Sequence, residues 1–131
     1  MIVLDASALV DVLIDQPNKP AVIAHLDQKL MAPAHQPIEV LSAIARLRRA
    51  GELNEETARR AIREASELVQ EFVHPDARLM QHALELDGRI RVVDAVYVAL
   101  AEQLDCPLLT SDQRLEASNP PCKLIVISAI R

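Results

Sequence analysis

The sequence predicts a three-layer α/β/α fold, in which helices cover both faces of a central, mostly parallel β-sheet. Short runs of Val, Ile and Leu that are typical of buried strands alternate with longer stretches that are typical of helices. No repeat, linker or low-complexity segment interrupts this alternation. At 131 residues the chain has the size of one domain, 1–131, which can bury enough surface to fold without disulfides or a structural metal.

The first part of the chain is predicted to contain one strand followed by three helices. Ile2–Leu4 is a short apolar strand, and a helix follows it at 6–14, before a proline-containing exit. A second helix is predicted at about 20–30. A third has its best stretch at 38–50, where Gly51 is placed as a C-terminal stop.

The rest of the chain opens with an amphipathic helix that Asn54 is predicted to cap. The apolar face predicted for this helix consists of Ala58, Ile62, Ala65, Val69 and Phe72. The elements predicted after it are strands at 72–74, 107–110 and 123–127 and helices at 76–86 and 94–104.

Composition excludes several classes of function. Gly51 and Gly88 are the only glycines, so neither a GxGxxG turn nor a Walker A loop can be present, and no nucleotide cofactor is expected. Phe72 and Tyr97 are the only aromatic residues, which argues against binding by base stacking. The net charge of −5 confines any nucleic-acid contact to a local basic patch or to a bound cation.

Other features are typical of a cytoplasmic protein. The histidines lack zinc-ligand spacing, and Cys106 and Cys122, each beside a proline, are expected to be small core residues. No apolar stretch approaches the ~20 residues that cross a bilayer. The N-terminus lacks the basic region and cleavage site of a leader, so we expect no membrane attachment and a cytoplasmic location.

Three aspartates stand where helices are predicted to begin. Asp5 follows the strand Ile2–Leu4, Asp112 follows the strand 107–110, and Asp94 opens the helix 94–104. Ligand sites of parallel α/β proteins form beyond the carboxyl ends of the strands, so Asp5 and Asp112 are expected at one edge of the sheet. The alternative is that each aspartate is only a helix N-cap, a position that aspartate favours.

Glu39 does not fit the capping interpretation, because it falls inside a predicted helix with the small residues Ser42 and Ala43 on its own face. Its alternative is a solvated helix position. Carboxylates gathered within ~4 to 6 Å cannot all stay ionised unless something positive lies between them. A site of oxygen ligands without His or Cys suits Mg²⁺ or Mn²⁺, and such ions commonly act together with substrate phosphates.

The residues around these acids resemble a known family. "DASALV" at the N-terminus, "EVLSAI" at Glu39 and "DAVYVALAEQLDCPLLTSDQRL" from Asp94 to Leu115 are similar to the PIN domain of VapC-type toxins. The resemblance covers essentially the whole chain in order and spacing. Its most specific part is the last segment, which joins Asp94 to Asp112 through a helix and a strand.

The resemblance implies a metal-dependent endoribonuclease that cleaves RNA with Mg²⁺ or Mn²⁺, forms a homodimer and is held inactive by a cognate antitoxin with a basic tail. Carried over residue by residue, it implies an acidic, metal-binding pocket formed by Asp5, Glu39, Asp94 and Asp112, with Ser7 and Thr110 as supporting hydroxyls. One departure is Val93, where relatives often carry tyrosine. It removes no ligand but bears on how Asp94 is oriented.

RNA must also be held against an acidic protein, and six of the eleven arginines lie between Arg46 and Arg63. Arg60 and Arg63 have glutamates at four-residue spacing, so helix-surface ion pairs account for them. Arg46 stands two turns after Glu39 on the same helix face, ~10 Å further along the axis. We therefore expect Arg46 to contact RNA.

Two alternatives remain at this point. A receiver domain of a signalling pathway also gathers acids around Mg²⁺, but it needs a mid-chain aspartate on a strand and a later lysine, and no lysine lies between Lys29 and Lys123. The other alternative is a non-catalytic interaction module whose aspartates are only caps.

Overall fold

A five-stranded parallel sheet forms the centre of the computed structural model, which describes residues 1–128. The strands are β1 (Ile2–Leu4), β2 (Leu30–Pro33), β3 (Glu71–Val73), β4 (Leu108–Thr110) and β5 (Leu124–Val126), in the spatial order β3-β2-β1-β4-β5. Val3 of β1 lies opposite Met31 of β2 and Leu108 of β4. The predicted parallel sheet is confirmed.

Helices pack on both faces of this sheet, which confirms the three-layer α/β/α fold. Within residues 1–128 they are α1 (Ala6–Leu13), α2 (Lys19–Ile23), α3 (Gln36–Arg49), α4 (Glu55–Glu67), α5 (Ala77–Leu84), α6 (Val92–Leu104) and α7 (Gln113–Ala117). The predicted cap of α4 is also confirmed, because the Asn54 side chain accepts a hydrogen bond from the backbone N–H of Thr57 at 2.8 Å.

Two hydrophobic cores result from the alternation of side chains along each strand. Ile2 and Leu4 of β1 pack with Leu109 of β4 against α1, α3 and α4. Val3 and Leu108 point to the opposite face and pack against α5 and α6. A strand that is buried on both faces has no side chain in contact with solvent, which explains why β1 consists of apolar residues only.

Helix α6 contains the longest unbroken run of buried residues in the described chain, with every residue from Ala95 to Ala101 buried. Cys106, just after it, belongs to the same core, while Cys122 is half-buried against that core. Burial raises the pKa of the Cys122 thiol to about 11. Within residues 1–128, no helix is long and apolar enough to cross a membrane.

The helix predicted at 20–30 is wrong in its second half. Helix α2 ends at Ile23, and the chain then forms β2, which lies between β1 and β3. Leu, Met and Ala all favour helices, so Leu30 to Ala32 carry no local strand signal. The strand exists because it pairs with two neighbours, and such pairing is a tertiary property.

The apolar face predicted for α4 is also partly wrong. Ala58 is buried, but the helix ends at Glu67, so Val69 and Phe72 do not lie on it, and Val69 is 87% exposed. Ile62 is 37% exposed, whereas Ala61 is fully buried. The buried residues of α4 that pack against α1 and α3 are therefore Ala58 and Ala61, whose small side chains allow the helices to come close.

We predict that Leu109→Ala lowers the free energy of unfolding by about 3 kcal/mol, because it leaves a cavity between β4 and the surrounding helices. Leu109 is completely buried, whereas Leu84 on α5 is 65% exposed. The matched control Leu84→Ala should change the stability by less than about 0.5 kcal/mol. Urea unfolding followed by circular dichroism measures both values, and equal effects would contradict the assignment of the core.

Candidate active site

The sheet has its topological switch point between β1 and β4. From β1 the chain continues to β2 on one side, whereas β4 and β5 extend the sheet on the other side. The loops that leave β1 and β4 therefore diverge, and they open a crevice beyond the carboxyl ends of the strands. Asp5 directly follows β1, and Asp112 lies two residues after β4.

A pocket of about 400 Å³ occupies this crevice, and the structure brings all four predicted acids to its wall. They are Asp5, Glu39, Asp94 and Asp112. Helices α3 and α6 contribute Glu39 and Asp94 from the two opposite faces of the sheet. Three serines and three arginines also line the pocket: Ser7, Ser42, Ser111, Arg46, Arg91 and Arg114.

Asp5 is the most buried of the four acids, with 5% of the residue exposed. Its Oδ2 atom accepts hydrogen bonds from Ser7 Oγ at 2.8 Å and from Thr110 Oγ1 at 2.6 Å. Burial raises the pKa of this carboxyl to about 6; the two hydroxyls oppose the rise, and the charges of Asp94 and Glu39 add to it. Asp5 occupies the N-cap position of α1 but makes no side-chain capping bond.

Thr110 connects the two sides of the crevice. Its Oγ1 donates to Asp5 and accepts from the backbone N–H of Asp112 at 3.0 Å. Ser7 Oγ lies 3.2 Å from Thr110 Oγ1 and accepts from the backbone N–H of Ser111 at 3.2 Å. The hydroxyls thus join the end of β1 to the end of β4 while they orient Asp5 toward the pocket.

Glu39 lies in the first turn of α3, not in a solvated helix position, and its Oε1 atom is buried without a hydrogen-bond partner. His35 Nε2 lies 3.3 Å from this oxygen, close enough for an ion pair, and Glu39 raises the pKa of the imidazole. The same Nε2 donates to the carbonyl of Val93 at 3.3 Å. Tyr97, whose ring stands edge-on to His35 at 5.2 Å, has a buried hydroxyl that also lacks a partner.

Asp94 and Asp112 each face an arginine. Arg91 donates two hydrogen bonds to Asp94, from Nε to Oδ2 at 3.0 Å and from Nη2 to Oδ1 at 3.4 Å. Arg114 Nε lies 3.5 Å from Asp112 Oδ1. Asp94 is not an N-cap, because α6 begins two residues earlier with Arg91 in the cap position. Of Asp5, Asp94 and Asp112, only Asp112 caps a helix through its side chain, by accepting from the backbone N–H of Arg114 at 2.9 Å.

This set of oxygen donors fits a hard divalent cation. Within residues 1–128, no three His, Cys, Asp or Glu side chains already stand at ligand spacing. Arginines contact Asp94 and Asp112 instead. The arginine side chains are exposed, and such exposed ion pairs are weak enough to open. Glu39 Oε1 accepts no hydrogen bond within residues 1–128, and the pKa of Asp5 is raised, so the carboxylates of the pocket are incompletely neutralised.

Several pocket residues escaped the sequence analysis. Arg91 and Arg114 could have been noticed, because each lies within three residues of a predicted acid. Asp11 lines the pocket one turn after Ser7 on α1, where it accepts from Asn18 Nδ2 at 2.7 Å. The His35 and Tyr97 contacts depend on how α3 meets α6, which no local pattern reveals.

Comparisons with known proteins agree with this architecture. Residues 2–118 match the PIN domain family. Ribonuclease VapC3 of Mycobacterium tuberculosis is 39% identical over 126 residues, which cover 95% of this chain and 91% of that protein. Ribonuclease VapC1 of the same species is 34% identical over 128 residues, which cover 95% and 96%.

Solved structures share the fold. Mycobacterium tuberculosis VapC20, described as a sarcin-ricin loop cleaving toxin, aligns with a TM-score of 0.68 at 19% identity over 92% of this chain and 96% of that one. VapBC2 of Rickettsia felis, bound to a promoter DNA fragment, aligns with a TM-score of 0.68 at 14% identity over 95% and 98%. The chain therefore belongs to the PIN domain family, and within that family to the VapC proteins.

The buried carboxyl of Asp5 predicts an unusual pH dependence of stability in the metal-free protein. Between the ordinary pKa of 3.8 and the raised value of about 6, the folded state binds a proton that the unfolded state does not. The free energy of unfolding should therefore fall as pH rises through this window, by up to about 3 kcal/mol. Urea unfolding at a series of pH values with a chelator present measures the slope.

Asp5→Asn is the matched control for this measurement, since it keeps the shape but removes the titration. The difference in stability between Asp5→Asn and the wild type should grow with pH between about 4 and 6. A constant difference across that range would contradict the raised pKa of Asp5.

Proposed function

We propose that this chain is a VapC-type toxin, an endoribonuclease that hydrolyses RNA phosphodiesters with Mg²⁺ or Mn²⁺ and is neutralised by a cognate antitoxin. The relatives named Ribonuclease VapC match nearly the whole chain, which supports the activity. The single observation that carries the proposal is the convergence of Asp5, Glu39, Asp94 and Asp112 on one pocket at the switch point of the sheet.

Electrostatics explains why this pocket needs a cation before it can act on RNA. A phosphodiester is anionic, and so are the carboxylates around the place where it would react. A divalent ion supplies Lewis-acid polarisation of the phosphate and a more acidic bound water. Oxygen ligands without His or Cys suit Mg²⁺ or Mn²⁺, which is why these ions are proposed.

The four acids have different roles in this proposal. Asp5 and Asp94 would hold the metal most directly. Glu39 and Asp112 would complete its set of ligands, through water or a second ion, and would help to orient the attacking water. Glu39 Oε1 accepts no hydrogen bond within residues 1–128, although His35 Nε2 lies 3.3 Å from it, so this oxygen is suited to accept a proton from such a water.

Ser7 and Thr110 act through Asp5 and are positioning residues. Their hydroxyls both donate to Oδ2, which leaves Oδ1 as the oxygen available to a metal. They also lower the pKa of Asp5 against the effect of burial, so that the carboxylate form is more accessible at neutral pH. By the family resemblance, water would attack the phosphorus in line with the departing 3′-oxygen, and the products would carry 5′-phosphate and 3′-hydroxyl ends.

Arg46 is proposed to hold a phosphate of the RNA strand. It lines the pocket from the face of α3 that also carries Glu39, and its side chain is exposed. Arg60 instead lies 3.7 Å from both Glu64 and Asp15, which agrees with a surface role. Arg48 and Arg59 both contact Glu55.

The antitoxin and the homodimer are the proposed protein partners. The Rickettsia felis neighbour is a VapB–VapC assembly, which supports an antitoxin for this chain. A basic antitoxin tail that enters the pocket would compete with both metal and RNA for the same carboxylates. The homodimer rests on the family resemblance.

Neither alternative function is favoured by the structure. The receiver-type order of strands is 2-1-3-4-5, whereas this sheet has the order β3-β2-β1-β4-β5. The non-catalytic interpretation requires Asp5, Asp94 and Asp112 to be caps, and of these three only Asp112 caps a helix with its side chain. Capping gives no reason for Asp5 to be buried beside other carboxylates.

We predict that Asp94→Asn abolishes RNA cleavage while the protein stays folded. The substitution removes a charged metal ligand but keeps the shape, and Asp94 is not a helix cap. Cleavage of total RNA with Mg²⁺ or Mn²⁺ should fall by a factor on the order of a hundred or more. Asp27→Asn, at an exposed position outside the pocket, is the matched control and should cleave normally.

A cleavage rate of Asp94→Asn equal to that of the wild type would contradict the proposed function. So would cleavage by the wild type that is unaffected by a chelator.

Arg46→Ala is predicted to weaken RNA binding without preventing chemistry. Loss of one phosphate contact should raise KM about three- to tenfold and lower kcat little, because the interaction is made equally in the ground and transition states. Arg49→Ala removes the same charge from the same helix at a position outside the pocket wall. Steady-state cleavage of a labelled RNA distinguishes the two, and equal KM values would contradict the contact.

A further inference from the structure

A second cleft of about 250 Å³ opens beside the acidic pocket and shares four wall residues with it. The shared residues are Arg91, Asp94, Asp112 and Arg114. Arg89 and Ser118 line only the second cleft. Each of the two shared arginines therefore stands on the boundary between a pocket lined by carboxylates and a cleft that is rich in arginine.

The two arginines and their carboxylates differ in how firmly they are held. The side chains of Arg91 and Arg114 are 69% and 84% exposed, whereas those of Asp94 and Asp112 are only 14% and 18% exposed. An exposed ion pair of this kind changes an equilibrium constant by at most about fivefold, because water competes for both partners. The carboxylates are the fixed side of each pair, and the arginines are the side that can move.

Resting on the function proposed above, we propose that Arg91 and Arg114 are exchangeable cations that form a phosphate-binding subsite for the RNA strand. Without metal they neutralise Asp94 and Asp112. When a divalent ion occupies these carboxylates, the guanidinium groups are released into the second cleft, where they bind phosphates of the RNA backbone next to the cleaved bond.

Charge and geometry both support the exchange. The contact of Arg91 with Asp94 uses two nitrogens and two oxygens, and the same fork matches the oxygens of a phosphate. Arg89 already sits in the second cleft, where its Nη2 donates to the carbonyl of Asn119 at 2.8 Å. It adds a positive charge to the cleft without engaging a pocket carboxylate among the described residues.

The competing interpretation is that Arg91 is a permanent brace that holds Asp94 in position for the metal. The two interpretations predict opposite signs for the effect of Arg91→Ala on metal affinity. Removal of a competitor strengthens metal binding, whereas removal of a brace weakens it. Metal binding can be measured without RNA and without cleavage, so the sign does not depend on catalytic activity.

The experiment titrates Mn²⁺ into wild type, Arg91→Ala and Arg114→Ala by calorimetry. A second titration measures binding of a short fluorescent single-stranded RNA of mixed sequence by anisotropy with Ca²⁺ present, and gels verify that this RNA stays intact. Arg78→Ala is the matched control, because Arg78 is an exposed arginine on α5 outside both clefts. Circular dichroism checks that each variant is folded.

The exchange predicts that Arg91→Ala binds Mn²⁺ up to about fivefold more tightly than the wild type. The same variant should bind the RNA about three- to tenfold more weakly, with a salt dependence whose slope is smaller by about one. Arg114→Ala should shift both affinities in the same directions. Arg78→Ala should leave both affinities close to those of the wild type.

Weaker Mn²⁺ binding by Arg91→Ala, or RNA binding that equals that of the wild type, would overturn the exchange. Such a result is distinct from a failure of the proposed function, because loss of cleavage in Asp94→Asn does not depend on either arginine. If Asp94→Asn is inactive while the affinities of Arg91→Ala for Mn²⁺ and RNA equal those of the wild type, the proposed nuclease activity is supported and the proposed subsite is wrong.

Discussion

The whole site depends on the burial of one carboxylate among others. Asp5 is enclosed at the end of β1, and two neutral hydroxyls supply its hydrogen bonds. These bonds reduce the cost of burial but cannot cancel the charge, so the pKa of Asp5 is raised to about 6. A cation shared with the other acids would remove that remaining cost. The same cation would also make the pocket suited to an anionic substrate.

The scaffold holds the acids together through polar contacts at the start of α3. The buried amide of Gln36 donates to the carbonyl of Leu4 at 2.9 Å and exchanges hydrogen bonds with Gln70, which connects α3 to the end of β1. His35 connects the same turn to α6 by donating to the carbonyl of Val93. Glu39 and Asp94 are therefore fixed relative to Asp5 by contacts of the adjacent backbone. Val93 takes part through its carbonyl, which any residue provides.

The protein separates its charges into an acidic centre and a basic rim. Although the net charge is −5, arginines from α3, α6 and α7 regions surround the carboxylates: Arg46, Arg91 and Arg114. A chain with this overall charge cannot attract a polyanion from a distance. Local arginines at the mouth of the pocket can hold one once it arrives, and those that contact the acids also limit repulsion within the site.

The sequence by itself determined the alternation of strands and helices, the cap at Asn54 and the identity of the four acids, because these depend on local periodicity and on short motifs. Tertiary structure decided that Leu30–Pro33 is a strand, since only its two neighbours make it one. It also decided which aspartate caps a helix, which one is buried, and that arginines face Asp94 and Asp112. Those properties depend on distances between segments far apart in the chain, and such distances arise only when the layers pack.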